Sequence, residues 1–136
     1  MKRTQGWEQR LYYVTRRSID VEFAWGSNDC CLFAADCIEA VTGDDLAAEF
    51  RGTYKTKQEA QRLMAKLDCR DVGDVASRYL PEVPISFCRR GDIVMMKNTS
   101  GDLFLAVVVG HTAVGPTPDG MVHIHKNNAI KAWRVG

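Results

Sequence analysis

Trp25-Gly26-Ser27-Asn28-Asp29-Cys30-Cys31-Leu32-Phe33-Ala34-Ala35-Asp36-Cys37-Ile38-Glu39-Ala40-Val41-Thr42-Gly43 is the stretch whose reading decides the fold. Ser27, Asn28 and Asp29 are all helix-capping residue types, and they precede a segment that is apolar on nearly every side. The pattern predicts a helix over residues 30–41, ended by Gly43 in the left-handed region. A short helix that is apolar all round belongs at the centre of a domain rather than on its surface. Cys30 stands in its first turn, where unpaired backbone N–H groups and the positive end of the helix dipole stabilise a thiolate.

Working outward, Trp7, Leu11, Tyr12, Val14 and Thr15 recur at spacings of three and four. They predict an amphipathic helix over residues 4–18, with Thr4 as its cap. Residues 44–54 read as a helical turn followed by a loop. Thr56 caps a third helix running to Leu67, and residues 71–79 form a short fourth with Val72, Val75 and Tyr79 inward. The character changes at Pro81 and Pro84. Beyond them, strands are expected at 92–97, 103–109 and 121–126, with a further one at 131–135. Residues 98–102 and 116–120 are read as the turns between them. Helices first and an antiparallel sheet afterwards make an α+β pattern. The 136 residues suit a single domain, 1–136, in which a central helix starting at Cys30 is buried against a small sheet.

Composition narrows the function. The 18 basic and 17 acidic residues leave a formal charge of +1, which gives nucleic acid no electrostatic footprint to recognise. The longest strongly apolar stretch, residues 103–109, is far short of the roughly 20 needed for membrane insertion. The amino terminus carries positive charge but no apolar segment behind it, so synthesis and retention in a reducing cytoplasm are expected. Five cysteines, an odd count without CxxC spacing, read as free thiols. Neither a cofactor nor a metal site is expected, because no ligand spacing is present.

Cys30 admits two readings. It is one of five small buried hydrophobes, or it is a nucleophile activated by the helix start. Asp29 beside it reads as the cap, since its charge opposes thiolate formation. A thiol nucleophile needs a base, and the histidines are His111, His123 and His125. In the 121–126 strand, Val122 and Ile124 point one way and the two histidines the other. That histidine face lies either in water or in a cleft against the Cys30 helix. His111 reads as a loop residue.

The stretch Trp25 to Phe33 resembles the nucleophile motif of NlpC-type papain-like cell-wall peptidases, where a short Gly-containing loop ends in Asp-Cys at the start of a central helix. Arg90-Gly91-Asp92-Ile93-Val94 is similar to the lead-in of that family's first barrel strand. Leu105-Ala106-Val107-Val108-Val109-Gly110 is similar to its next strand. More narrowly, several pieces resemble a family of short phage and prophage proteins related to that fold. These are the Trp-Gly-x-x-Asp-Cys loop, Phe33-Ala34-Ala35-Asp36, Thr42-Gly43, Arg51-Gly52-Thr53-Tyr54 and Ala132-Trp133-Arg134-Val135.

The resemblance implies a papain-like domain with Cys30 as nucleophile. It puts the catalytic histidine at the opening of the strand that ends in Gly110, where this chain has Phe104 and Leu105. The family's third polar residue corresponds to His123, as base or orienting group. Two functions follow. One is a structural or assembly protein of a phage tail tip, inactive or weakly active, with other tail proteins as partners. It would be located in the virion tail, or in the bacterial cytoplasm before assembly. The alternative is a cysteine peptidase or amidase that cleaves peptidoglycan stem peptides. Trp7, Tyr12, Tyr13 and Trp133 are read either as aromatic interface residues or as completing the core.

Overall fold

Asp29 and Gly43 bracket the helix around which the molecule is built. Asp29, in extended backbone, accepts the Leu32 N–H through its side chain, and Gly43, at φ 86°, donates its N–H to the Glu39 carbonyl. Between them runs α2, Cys30–Thr42, preceded by α1, Trp7–Ser18. Two further helices follow, α3 Lys57–Lys66, capped by Thr56 as the sequence predicts, and α4 Val72–Tyr79, which Asp71 caps rather than joins. The strands are β1 Glu82–Val83, β2 Ile93–Lys97, β3 Leu103–Val108, β4 Thr112–Thr117, β5 Gly120–His125 and β6 Lys131–Trp133. The computed structural model describes all residues, 1–136.

The six strands form one sheet in the order β1-β6-β2-β3-β4-β5, and every neighbouring pair is antiparallel. The expected α+β architecture is therefore present, with helices first, a buried central helix and an antiparallel sheet after it. Phe33, Cys37 and Val41 of α2 are fully buried, and this helix packs on β3 and β4 on one side and on α1 on the other. A side chain such as Phe33 in that position contributes about 3–5 kcal/mol to stability.

Three expectations need correction. Residues 116–120 are not one turn: Thr112–Thr117 is a strand, and only Pro118 and Asp119 connect it to β5. Gly115 and Pro116 hide this strand from a reading of pattern, because both residue types weaken strand interiors. Pro116 is tolerated because the β3–β4 ladder covers only Val107↔Val114 and Val108↔Ala113, so no partner awaits its missing N–H. Second, α1 starts at Trp7 with Gly6 rather than Thr4 at its cap. Thr4 instead ties the amino terminus to α2 by donating its N–H to the Val41 carbonyl at 2.9 Å. Third, Tyr79 is more than a third exposed, while Trp133 is wholly buried and so is no interface residue.

Trp133 donates its indole N–H to Ser77 Oγ at 3.0 Å, which pins α4 to β6. Next to it the buried Asp92 carboxylate gathers both chain ends. It pairs with Arg3 at 3.0 Å and Arg134 at 3.2 Å, and accepts the N–H groups of Arg89 and Val135. A buried charge persists only when paired and hydrogen-bonded in this way. All five cysteines are free, and no helix is long and apolar enough to cross a membrane.

Candidate functional site

The loop ahead of Cys30 is fixed from three directions. Ala24 and Asn28 pair as an isolated antiparallel bridge, turning the chain at Gly26, whose φ is 82°. A Cβ at that position would lie 1.7 Å from the Tyr54 carbonyl oxygen, so no residue but glycine fits. The Gly26 carbonyl accepts the Gly52 N–H at 2.9 Å. Asp29, 2% exposed, then accepts three donors: the N–H groups of Leu32 and Gly26, each at 3.0 Å, and the Tyr54 hydroxyl. Burial, followed by the hydrogen bond to this carboxylate, pushes the Tyr54 phenol well above its ordinary range. Asp29 is thus fully engaged in holding the loop onto the helix, as its reading as a cap requires.

Tyr54 is the residue that reading the sequence left without a role, although Arg51-Gly52-Thr53-Tyr54 stood out as a motif. Its neighbours explain the rest of that motif. Arg51 contacts Asp45 through Nε at 3.1 Å and Nη2 at 3.0 Å, and reaches Asp36 of α2 at 2.8 Å. Asp45 is held below the usual carboxylate range, chiefly by this hydrogen bond to Arg51. The polar residues of two motifs therefore brace the loop over residues 44–54 against α2.

Cys30 opens α2 and is nearly buried, at 9% exposure. The Cys31 thiol is pushed well above its ordinary range, first by its hydrogen bond with Cys30 and then by burial. Both thiols line a cavity of about 290 Å³ that lies among α2, α3, α4 and the ends of β3 and β4. Of its 34 lining residues 25 are hydrophobic, and none is a histidine. Leu103, Phe104 and Leu105 form part of its wall, so the strand opening that the resemblance assigns to a base is apolar and inside the site.

The histidines lie elsewhere. His123 and His125 sit on β5, opposite Val114 and Thr112 of β4, and both are exposed. His111 occupies the turn before β4, also exposed, with its ring stacked on that of His125 at 6.4 Å between centroids. His125 Nδ1 accepts the Asn127 N–H at 3.2 Å. The structure places Cys30 and Asp29 together at one cavity and leaves His123 outside it. No group of three or more His, Cys, Asp or Glu side chains is arranged to hold a metal ion.

Chemically, the site offers a thiol at the positive end of the α2 dipole, facing an apolar wall. It offers no imidazole to take the thiol proton. Among solved structures, the chain is similar to the NlpC/p60 domain of the peptidoglycan hydrolase SagA, with a TM-score of 0.56 and 16% identity over 93% of this chain and 97% of that domain. At that identity the likeness establishes the NlpC-like papain fold. No curated protein matches the chain. The model of the family described as a domain of unknown function, DUF6950, matches residues 2–135, and the chain belongs to that family.

Proposed function

We propose that this protein is a structural or assembly component of a phage tail tip, built on an NlpC-like fold and contributing little or no hydrolysis. The observation that carries the reading is the wall beside Cys30, where Phe104 and Leu105 stand in a cavity that no histidine lines. Removing the base from a nucleophile–base pair costs several orders of magnitude in rate. The partner side of the proposal draws on the sequence likeness to short phage proteins. It draws also on Tyr12 and Tyr13, which are 59% and 65% exposed on α1. Arg16 lies over the Tyr12 ring at 5.9 Å and Arg17 over the Tyr13 ring at 5.6 Å. Tyrosine and arginine dominate the energetic centres of protein interfaces.

The competing reading is a cysteine peptidase or amidase acting on peptidoglycan stem peptides. It is favoured by Cys30 at the start of α2 and by the likeness to a peptidoglycan hydrolase domain. Complementation of a prophage lacking this protein separates the two. The assembly reading expects Cys30→Ala to leave infectivity nearly intact, and Tyr12→Asp with Tyr13→Asp to block tail assembly. Lost infectivity from Cys30→Ala, with normal particles assembled, overturns it in favour of the peptidase.

A further inference from the structure

The two edges of the sheet are built differently. At one end β1 has only two residues, and Pro81 and Pro84 flank it. Short length and proline are the usual devices that stop an edge from pairing with another chain. At the other end β5 has six residues, Gly120–His125, without proline, carboxylate, ammonium or guanidinium. None of the usual guards is present on it.

Hydrogen-bond accounting shows what this edge offers. Lys126 donates its N–H to the His111 carbonyl at 2.9 Å. The alternation of an antiparallel ladder then turns Ile124 and Val122 toward β4, opposite Ala113 and Gly115. Met121, His123 and His125 therefore aim their backbone N–H and C=O groups away from the sheet, where β5 has no neighbour.

From this edge we infer that the protein forms a symmetric dimer by antiparallel pairing of β5 with β5 of a second copy, centred on His123. In that register His123 faces its own counterpart, and Met121 of each copy faces His125 of the other. All of the outward groups are satisfied, in about six hydrogen bonds. On the opposite face Val122 of each copy meets Ile124 of the other. Both are half-buried β-branched residues that pack well as cross-strand pairs. A second copy fits better than a foreign strand because the edge is its own complement. It carries no permanent charge to repel an identical strand, its apolar residues meet apolar residues, and one two-fold axis closes the assembly. The result is a continuous twelve-stranded sheet made from two six-stranded ones.

Sedimentation equilibrium of the whole chain tests this, with wild type compared to His123→Pro and His123→Lys. The His123 N–H has no partner within one copy, so proline there removes no internal bond. Wild type is expected to show a monomer–dimer equilibrium half-dissociated on the order of 10–100 μM, as suits a small interface. Both variants should weaken it about 100-fold or more at unchanged melting temperature, through lost edge donors in one and opposed charges in the other. Tyr12→Asp should leave the dimer unchanged. A wild type that stays monomeric up to about 1 mM, or a dimer that survives both His123 variants, overturns the proposal.

Discussion

The start of α2 and the β4–β5 hairpin carry the two kinds of side chain that a thiol hydrolase joins, and they are built to opposite rules. At the helix start the Asp29 and Tyr54 side chains are buried and partnered: Asp29 takes three donors, Tyr54 is spent on Asp29, and Cys30 faces an apolar cavity. On the hairpin the imidazoles of His111, His123 and His125 are exposed, and one ladder of backbone groups is left open. One region is closed around a thiol that lacks a base, and the other offers bases that face no thiol. Asp29-Cys30 has an architectural role whatever its chemistry, as the cap and first turn of the helix that organises the core.

The contrast can be broken most forcefully at the closed region. Phe33→Ala should destabilise by about 3–5 kcal/mol, since this ring is wholly buried under the sheet. An unchanged denaturant midpoint would mean that α2 is not the core of the closed region. Next in size is Asp29→Ala, which removes a cap and leaves the Tyr54 hydroxyl and Gly26 N–H without an acceptor. About 2–4 kcal/mol is expected in the same denaturation measurement, and less than about 1 kcal/mol would show that the network is ornamental.

A smaller effect is expected from pH. Because the Tyr54 phenol is raised in the folded state, the stability it supplies is present below the unfolded tyrosine value near 10 and is lost as pH climbs beyond it. Melting temperatures recorded from pH 8 to 11 should therefore fall more steeply for wild type than for Tyr54→Phe; parallel curves would contradict the closed network. The smallest effect belongs to the open region. His123→Ala should change stability by no more than about 0.5 kcal/mol. A loss above about 2 kcal/mol would reveal a buried contact for this residue and erase the contrast.

Much of the fold was legible because its signals are local. The Ser-Asn-Asp cap, the apolar run after it, Gly43 and Thr56 each act within one turn of where they stand, and each is found in the expected role. β4 was not legible, because Gly115 and Pro116 are tolerated only through the short β3 ladder and the pairing with β5, which are tertiary facts. Trp133 shows the same limit: nothing in Ala-Trp-Arg-Val tells a core indole from an interface one until Ser77 receives its N–H. At the site, Cys30 and Asp29 could be read from the helix start, and the apolar wall from the strand resemblance. Tyr54 could not, since its hydroxyl reaches Asp29 across 25 positions of sequence.

The central claim, that no histidine serves Cys30, has a direct measurement. Alkylation of Cys30 by iodoacetamide at pH 7, followed by peptide mass spectrometry, should be compared between wild type and a variant in which His111, His123 and His125 are all alanine. The account predicts rates equal within about twofold, because no imidazole reaches the thiol. A drop of about tenfold or more at Cys30, in a variant that melts like wild type, would contradict it by showing that one of these histidines activates the thiol in solution.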